Sequence, residues 1–353
     1  MEVIAVITLI SAYLYVAAAA AVLFFSFFRR RLHSEPSEKV SVIIPARNEG
    51  KNIGETLYSL RKCDYKPGFE IMVVNDSSGD DTVLRAREAL SGFPEARIIN
   101  TVKPSSGLSG KQSALDTGIK AASYEHILLT DADCIFKPDW IKGLSDTMAE
   151  GADLAFGLTE SGGRGLTAGL EKLDLSFLFL VAVSFSEAGI PFSCMGNNVG
   201  IRKSFYMNFG GFKKNGYSAV EDFQLMRTAV RLGASISFDR VWPPAVKTAT
   251  AGSFFGYLKR RLRWLSAVRE SAAAASLVFL LCAAHAAVFW SPTGFFVYAA
   301  DATLFYRGLA LFGVRRYIAL LPVYLLFQVP LTALLFILRL SGLGTDWKDR
   351  KVG

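Results

Sequence analysis

Side chains that bind zinc or form disulfides are scarce in this chain, which has three histidines and four cysteines among 353 residues. The histidines are scattered, which argues against a zinc site, since such a site needs several of these ligands close together. The cysteines, Cys63, Cys134, Cys194 and Cys282, show no paired spacing. We expect reduced thiols, with Cys134 acting as a small apolar filler. The sequence therefore argues against a protein that depends on zinc or on disulfide bonds.

Charged residues are also sparse, at 20% of the chain against 51% apolar residues. The stretch Ile4–Phe28 is nearly uncharged and long enough to cross a bilayer, and Arg29–Arg31 follow it directly. A cleaved signal peptide carries its positive charges before the apolar core instead. We therefore predict that residues 1–30 form an uncleaved transmembrane anchor, with the N-terminus outside and the next segment in the cytoplasm.

The C-terminal third is apolar again, and residues 270–340 are predicted to form transmembrane helices. Ala272–Trp290 and Ile318–Leu338 are credible spans, whereas one acidic and one basic residue interrupt Phe295–Phe312. An ionisable residue in a span is a functional hypothesis by default, but mutual pairing or an interfacial position explains these two equally well. The number of C-terminal spans therefore stays open.

The net charge of +8 is concentrated beside the apolar runs, at Arg29–Arg31, Lys259–Arg263 and Arg315–Arg316. This distribution indicates anionic lipid and phosphate as partners, and no nucleic acid. The tail, residues 341–353, is basic and is expected to prefer the cytoplasm, which requires an even number of spans after Trp264.

Two carboxylates follow the apolar run that ends at Thr130. Asp131 and Asp133 are one residue apart, and a strand that stops there presents both at the carboxyl edge of a sheet, where open α/β proteins bind ligands. One or two carboxylates hold Mg²⁺ or Mn²⁺ together with substrate phosphates. A solvated turn is the alternative for an isolated Asp-x-Asp, but the surrounding pattern favours a metal site.

Short apolar strands alternate with helical patterns after the predicted anchor. The strands are predicted at residues 40–44, 69–74, 97–99 and 127–129, and polar motifs follow the ends of several of them. Between the first two, Ile53, Leu57 and Leu60 have helical spacing. Strands alternating with helices predict a parallel sheet covered on both faces, and so an α/β fold. We assign residues 38–250 to this domain and expect it in the cytoplasm.

Seven short motifs occur in the order in which family-2 glycosyltransferases carry them. They are Pro45–Glu49, Val73–Asp76, Gly110–Lys111 with Ala114–Leu115, Asp131–Asp133, Gly196–Asn198, Glu221–Asp222 and Arg260–Trp264. Over residues 40–264 the chain thus resembles these enzymes, and above all the membrane-bound members that glycosylate lipids, such as ceramide glucosyltransferases and bacterial carotenoid or glycolipid glycosyltransferases. The resemblance implies a GT-A fold that binds a nucleotide sugar. Arg260 stands where cellulose and hyaluronan synthases usually have glutamine, which disfavours a processive polymerase.

The resemblance also implies a donor site in the first half of the chain. Residues at the ends of the first two strands would border the uridine, with Glu49 at the ribose and Asp76 at the base. The implied nucleotide-sugar contacts are Pro45, Ala46, Arg47, Glu49, Asp76, Lys111, Asp131, Ala132 and Asp133, and the last aspartate would hold the cation with the help of Asp131. A surface salt bridge is the alternative for Arg47.

The same resemblance places the catalytic base at Asp222. Glu221 and Asp222 also open a helical pattern, where carboxylates ordinarily complement the helix dipole. The implied acceptor and diphosphate contacts are Gly196, Asn197, Asn198, Glu221, Arg260, Arg263 and Trp264. A plain turn is the alternative for the tripeptide at Gly196, and a lipid headgroup contact is the alternative for Arg260.

Residues 251–269 combine an apolar helical stripe with basic residues, which predicts an amphipathic interfacial helix carrying the Arg-x-x-Arg-Trp motif. The expected function is inverting transfer of a hexose from a UDP-sugar, foremost UDP-glucose, to a hydroxyl of a membrane lipid, with Mg²⁺ or Mn²⁺. We expect a multi-pass membrane protein, in the inner membrane if it is bacterial. Alternatives with the same fold are a processive polysaccharide synthase and a polyprenyl-phosphate sugar synthase. A non-catalytic membrane scaffold that binds nucleotide sugar is the alternative of another class.

Overall fold

The computed structural model describes residues 2–27, 38–101, 108, 110–218, 220–239, 244–266, 275–276, 278–279, 281–285, 292, 294–341, 345–347 and 350–352. The chain forms two compact units. The sheet unit consists of Arg29–Gly162 and Pro191–Ala249, and the helical unit consists of Met1–Phe28, Gly163–Ile190 and Thr250–Gly353. The predicted range 38–250 therefore includes a segment that belongs to the helical unit.

The helical unit takes its elements from three separate parts of the chain. They are α1 (Glu2–Phe25), α6 (Leu166–Glu187), α10 (Phe254–Trp264), α11 (Gly294–Leu311), a 3₁₀ helix (Arg315–Leu320), α12 (Leu321–Leu340) and the antiparallel pair β11 (Thr345–Trp347) and β12 (Arg350–Val352). The helix α6 joins this unit because its apolar side chains pack there, as in the stacked rings of Phe177 and Phe305, whose centroids are 4.8 Å apart.

The sheet unit alternates strands and helices along the chain, as predicted. Its elements are β1 (Val40–Ala46), α2 (Ile53–Leu60), β2 (Phe69–Asn75), α3 (Thr82–Leu90), β3 (Ala96–Asn100), α4 (Gly110–Ala121), β4 (His126–Leu129), β5 (Cys134–Phe136), α5 (Trp140–Ala149), β6 (Leu154–Phe156), β7 (Thr159–Ser161), β8 (Val199–Arg202), α7 (Lys203–Asn208), α8 (Gly211–Asn215), α9 (Glu221–Arg231), β9 (Ile236–Phe238) and β10 (Val246–Thr248). The four predicted strands are confirmed, each extended by one or more residues.

A seven-stranded sheet with the order β3-β2-β1-β4-β8-β6-β9 forms the centre of the sheet unit. β1 pairs in parallel with both β2 and β4, and β8 runs antiparallel between β4 and β6. The chain leaves β1 for β2 on one side and adds β4 on the other side. The strand order therefore reverses between β1 and β4, and α/β sheets bind ligands at the carboxyl ends of such neighbouring strands.

Burial on both faces explains why β1 is an almost continuous run of apolar residues. Val42, Ile43 and Ile44 have no exposed surface, as expected for a parallel strand covered by helices on both sides. α2 buries the predicted stripe that begins at Ile53. In α3, Ala86 and Leu90 are buried whereas Leu84 is exposed.

A second, three-stranded sheet has the order β5-β10-β7. β10 runs antiparallel to β5 and parallel to β7. This small sheet begins one residue after Asp133, and the backbone N–H of Ala249, just after β10, donates to the carbonyl of Asp133 at 3.1 Å. The small sheet thus fixes the backbone of the second aspartate of the Asp-x-Asp motif.

Among the described residues, one helical stretch, Arg315–Leu340, is long and apolar enough to cross a membrane. The described apolar part of α1, Leu9–Phe25, is shorter. The predicted N-terminal anchor and the set of C-terminal spans are therefore not confirmed as transmembrane helices. Most of the predicted span at residues 272–290, and the basic residues 29–31, lie outside the described part of the chain.

Candidate active site

The loops after β1 and β2 are tied together beside the switch point of the sheet. The backbone N–H of Asp76 donates to the carbonyl of Ala46 at 2.9 Å. Arg47 Nη1 donates to the carbonyl of Asp76 at 2.8 Å, so its guanidinium fixes the second loop. These bonds bring together the residues that the sequence assigned to the nucleotide, Pro45, Ala46, Arg47, Glu49 and Asp76.

Both of these loops contain a residue with left-handed backbone. Asn48 has a φ of +51° and Ser77 a φ of +56°, a conformation that costs free energy for residues other than glycine and tends to persist at functional sites. Side-chain bonds hold it, because Asn48 Oδ1 accepts from the N–H of Gly79 at 2.9 Å. The N–H of Glu49 donates to Thr82 Oγ1 at 2.7 Å, which connects the first loop to the start of α3.

A lysine bridges two carboxylates at the end of β4. Lys111, in the first turn of α4, places its Nζ 2.7 Å from Asp131 Oδ1 and 2.6 Å from Glu221 Oε1. Burial lowers the pKa of Lys111, but attraction by the two carboxylates outweighs this effect and raises the pKa above its ordinary value. The ammonium is therefore charged at neutral pH and joins the Asp-x-Asp motif to the first turn of α9.

The helix α9 carries Asp222 next to Gly196. Asp222 Oδ2 accepts from the N–H of Gly196 at 2.8 Å, and Oδ1 accepts from the N–H of Phe223 at 2.8 Å. Burial, followed by repulsion from Glu221, raises the pKa of Asp222 to about 6, although Lys111 and the two N–H groups act in the opposite direction. At neutral pH, Asp222 is thus an ionised carboxylate that is a stronger base than an ordinary aspartate.

Gly196 approaches Asp222 so closely that a side chain would not fit easily. A Cβ at position 196 would lie 3.1 Å from the Cβ of Asp222. The sequence prediction for Asn197 and Asn198 as acceptor contacts differs from their observed use, since both are buried. Asn198 Oδ1 accepts from Trp140 Nε1 at 2.9 Å. These two asparagines support the sheet, so Gly196 is the member of the tripeptide that lies beside Asp222.

Sequence reasoning missed an amide pair beside this site, formed by the buried Gln112 and the half-buried Gln224. Gln112 Nε2 donates to Gln224 Oε1 at 2.7 Å, and Gln112 Oε1 accepts from the N–H of Ser218 at 2.8 Å. Because Lys111 and Gln112 are adjacent, the first turn of α4 holds α9 through both a charge and an amide. The position of Gln112 directly after the predicted ligand Lys111 is the one sequence signal that could have suggested this role.

The carboxylates at this site fit a hard cation that is only partly coordinated by protein. No group of three or more histidine, cysteine, aspartate or glutamate side chains able to hold a metal occurs among the described residues. Asp131 and Asp133 offer two carboxylates, and Asp133 Oδ1 also accepts from Thr248 Oγ1 at 3.4 Å. Mg²⁺ and Mn²⁺ accept such sets when substrate phosphates and water supply the other ligands.

The remaining predicted residues, Arg260, Arg263 and Trp264, lie on α10 in the helical unit. Arg260 Nη1 is 3.3 Å from the buried carboxylate of Glu171 on α6. The neighbouring Arg261, which the sequence did not single out, is buried and lies 3.5 Å from Asp174. The predicted stripe is only partly buried, because Leu262 is covered and Phe254 is exposed.

Comparison with solved structures identifies the fold. A mannosyltransferase from Pyrobaculum calidifontis, solved with GDP-mannose and Mn²⁺, superposes with a TM-score of 0.55 at 19% identity and covers 92% of this chain and 99% of its own. At this identity the likeness concerns the fold alone. It confirms the predicted GT-A architecture, a Rossmann-like α/β domain.

Several curated proteins are similar over parts of the chain. A dolichol-phosphate mannosyltransferase from Pyrococcus furiosus is 37% identical over 34% of this chain and 32% of its own length. A probable glycosyltransferase from Bacillus subtilis is 30% identical over 57% of this chain and 48% of its own. Ceramide glucosyltransferase 1 from Caenorhabditis elegans is 24% identical over 69% of this chain and 53% of its own. The chain thus spans about half, or less, of the length of these relatives.

Two family models match the chain itself. The model for glycosyl transferase family 2 matches residues 41–209, which contain the loops after β1 and β2 and the Asp-x-Asp motif. The model for glycosyl transferase family group 2 matches residues 126–338, which is more than half of the chain and includes α9 and α10. The strand order, the site at the switch point and these two matches together show that the chain belongs to the family-2 glycosyltransferases.

Proposed function

We propose that this protein is a metal-dependent, inverting glycosyltransferase that moves one hexose from UDP-glucose to a hydroxyl of a membrane lipid. The observation that carries the proposal is the position of Asp222, a carboxylate with its pKa raised to about 6. Asp222 directly follows Glu221, which forms an ion pair with Lys111, and Lys111 also pairs with Asp131. A base poised near the working pH thus lies beside groups suited to a diphosphate.

The donor would lie across the carboxyl ends of β1, β2 and β4. The loops at Ala46 and Asp76 would take the nucleoside, with Glu49 at the ribose. Lys111 would make a charge-assisted contact to the diphosphate, exchanging part of its present pairing with Asp131 and Glu221. A Mg²⁺ or Mn²⁺ ion bound by Asp131 and Asp133 would supply Lewis-acid stabilisation of the leaving diphosphate.

The transfer step would be a direct displacement at the anomeric carbon. The acceptor hydroxyl would give its proton to the carboxylate of Asp222 while its oxygen forms the new bond to C1. The bond between C1 and the diphosphate oxygen would break on the opposite face, so that the configuration inverts and UDP leaves. The N–H groups of Gly196 and Phe223 would hold the carboxylate in one orientation during this step.

The helical unit supports a lipid as acceptor. Most of the large apolar side chains that are exposed in the described part of the chain belong to this unit, among them Tyr13, Phe24, Phe255, Phe295 and Leu326. Exposed apolar patches of this kind mark membrane or partner surfaces. On α10, Lys259 Nζ lies 4.9 Å from the ring centre of Phe255, the mixture of basic and aromatic groups typical of a helix at the headgroup level.

Membrane insertion through more than one span is part of this proposal. α1 and α11 run in the same direction, because their contacts advance together along both helices: Ala12 packs with Val297, and Arg307 Nη2 donates to the carbonyl of Ser26 at 3.0 Å. Two parallel spans require a crossing in the opposite direction between them, and residues 272–290 are the sequence candidate. With the sheet unit in the cytoplasm, this crossing, α11 and α12 would make three spans after Trp264, which would place the tail outside and not in the cytoplasm as the sequence led us to expect.

A polyprenyl phosphate is the second candidate acceptor. The similarity to the dolichol-phosphate mannosyltransferase from Pyrococcus furiosus, at 37% identity over 34% of this chain, favours it. In that reaction class the acceptor oxygen belongs to a phosphate, which is already ionised and needs no base. Loss of Asp222 would then have little effect on the chemical step.

Mass spectrometry of lipid extracts tests the proposal directly. Cells that express the protein are compared with cells that express Asp222→Asn and with cells that lack the gene. A lipid that gains a single hexose, only with the intact protein, is the expected result. A hexose polymer would indicate a processive synthase, and a hexosylated polyprenyl phosphate that persists in the Asp222→Asn cells would indicate the second candidate. Identical lipids in all three strains would contradict lipid glycosylation.

A further inference from the structure

A buried ionic network joins three helices of the helical unit. Arg261 on α10 is only 8% exposed and Asp174 on α6 only 6% exposed, and Arg261 Nη1 lies 3.5 Å from Asp174 Oδ1. Arg261 Nη2 donates to Thr332 Oγ1 on α12 at 2.6 Å, and the hydroxyl of Tyr324, also on α12, donates to Asp174 Oδ1. Together with Tyr257 on α10, these residues form one buried cluster of five polar side chains from α6, α10 and α12.

Both terminal nitrogens of the Arg261 guanidinium donate hydrogen bonds to different partners. Nη1 donates to the hydroxyl of Tyr257 at 3.0 Å, which lies one turn earlier on the same helix and has no exposed surface. The planar, forked geometry of guanidinium lets it serve several acceptors in fixed directions, which an ammonium does not do. The network therefore fixes the direction in which the Arg261 side chain leaves α10, in addition to holding α10 close to α6.

A second ion pair acts on the adjacent arginine. Arg260 Nη1 lies 3.3 Å from Glu171 Oε1, whose side chain has no exposed surface. The same carboxylate oxygen accepts from the N–H of Ala251 at 3.0 Å, just before Ser253, which caps α10 by accepting from the N–H of Gly256 at 3.0 Å. Glu171 thus fixes both the entrance to α10 and one of its arginines.

Two acidic residues on one face of α6 select one rotation of α10. Glu171 and Asp174 are three positions apart, which places both on one side of a helix. Arg260 and Arg261 are adjacent and project about 100° apart around the helix axis. If α10 rotated about its axis by one residue position, Arg261 would move away from Asp174 and Arg260 would move away from Glu171. Both ion pairs therefore form in one orientation of α10 only.

Such a pair need not stabilise the fold. Replacing a buried ion pair by apolar residues of similar volume is often neutral or stabilising, whereas removing one partner alone is strongly destabilising. A helical unit as apolar as this one could have packed α10 with leucine or methionine at these positions. The charged solution is best explained by a need for one defined orientation of this helix.

We propose that Arg261 and Asp174 are positioning residues for glycosyl transfer: their buried ion pair sets the rotation of α10 and so the direction in which Arg263 and Trp264 point. The inference rests on the proposed function and on the expectation from the family resemblance that Arg263 and Trp264 contact the acceptor. The buried arginine of the motif would thereby direct the others without touching substrate. Misplacement of a reacting group by about 1 Å can lower the rate by roughly 10²-fold.

The decisive variant makes the cluster apolar, as Arg261→Met with Asp174→Leu, Tyr257→Phe and Tyr324→Phe, so that neither tyrosine hydroxyl stays buried without its partner. We expect this apolar variant to keep the thermal midpoint and the UDP affinity of the original protein, while hexose transfer to the lipid product found by mass spectrometry falls at least tenfold. The single variant Arg261→Lys, which keeps the charge but not the fork, should transfer hexose at a rate between those of the apolar variant and the original protein. Lys142→Met, which removes one partner of an exposed pair at 2.6 Å on α5, is the matched control and should transfer normally.

The outcomes separate this inference from the proposed function. Normal transfer by the folded apolar variant would overturn the positioning role. A loss of transfer that accompanies an equal loss of UDP affinity and thermal stability would also overturn it, since either result would make the pair a packing element. If the original protein adds hexose to no lipid, the proposed function fails first, and the acceptor side of the positioning role fails with it.

Discussion

Replacing Asp222 by asparagine separates the proton-accepting role of this residue from its structural role. Asparagine has nearly the same size, and its remaining oxygen can still accept from the N–H of Gly196, as Asp222 Oδ2 does at 2.8 Å. The N–H of Phe223 would lose its partner, at a cost of about 1–3 kcal/mol for an unsatisfied buried donor. The amide cannot accept the proton of the acceptor hydroxyl, so we expect turnover to fall by about 10²–10⁴-fold.

The pKa of Asp222 determines how stability should respond. Folding raises this pKa from 3.8 to about 6, so the folded protein binds the proton more tightly than the unfolded chain. The stability contribution is therefore full below pH 3.8 and is lost as the pH rises through about 6. Because asparagine does not ionise, the variant avoids this loss at neutral pH, which offsets the missing hydrogen bond. We expect its thermal midpoint at pH 7 to stay close to that of the original protein.

The assay measures hexose transfer from UDP-glucose, UDP affinity and thermal midpoint on the same preparations. In the original protein the transfer rate should rise with pH through about 6, as Asp222 loses its proton, and level off above. Glu88→Gln, at an exposed side chain 3.9 Å from Arg85, is the control for loss of a carboxylate and should leave all three quantities unchanged. Near-normal turnover by Asp222→Asn, with the same pH profile, would refute the assignment and make Glu221 the first alternative.

Three further predictions concern the groups around this base. Mn²⁺ should bind weakly alone and much more tightly with UDP, and calorimetry should show that Asp133→Ala removes this synergy; unchanged UDP-dependent Mn²⁺ binding would contradict the metal assignment. Gln112→Leu removes the donor that lies 2.7 Å from Gln224 Oε1, so turnover should fall about tenfold with little change in UDP affinity. Steady-state kinetics would measure both quantities. Weaker UDP binding with unchanged turnover would mean that Gln112 supports donor binding instead. Arg263→Lys keeps the charge but loses the bidentate fork, so transfer should fall strongly while flotation with phosphatidylglycerol vesicles is unchanged; full transfer by this variant would remove Arg263 from the phosphate site.

The centre of the fold could be predicted because its sequence signals are local and agree with one another. Residues 40–46 and 69–75 are short, β-branched and apolar, and both strands are buried on both faces. Asp131 and Asp133 come directly after the strand pattern, so their place at the sheet edge followed from the chain direction. The strands of three residues, such as β6 and β9, are too short to carry a periodic pattern and were not predicted.

The helical unit was harder to predict because its order depends on contacts between distant segments. The sequence range 38–250 gives no sign that α6 leaves the sheet unit, since an apolar helix looks alike in either place. Arg261 lies within a basic run, which ordinarily indicates solvent exposure, and its burial requires Asp174 and Thr332 from other segments. Asn197 and Asn198 present the same difficulty, because a polar tripeptide after a loop resembles a ligand contact until its hydrogen-bond partners are known.

The division of the helical unit among three chain segments has a consequence for synthesis on the ribosome. α1 emerges first, but α6 follows only after the whole of Arg29–Gly162, and α10 to α12 come after residue 249. At roughly 5–20 residues per second, α1 is without α6 for a time on the order of ten seconds and without α11 for longer, and side chains that the folded protein buries, such as Ala12 and Val22, are uncovered meanwhile. The sheet unit also closes late, because β10 ends at Thr248. Until then the nascent chain exposes the side chains of α1 that the folded protein buries, so the helical unit and the site at Asp222 can both assemble only late in synthesis.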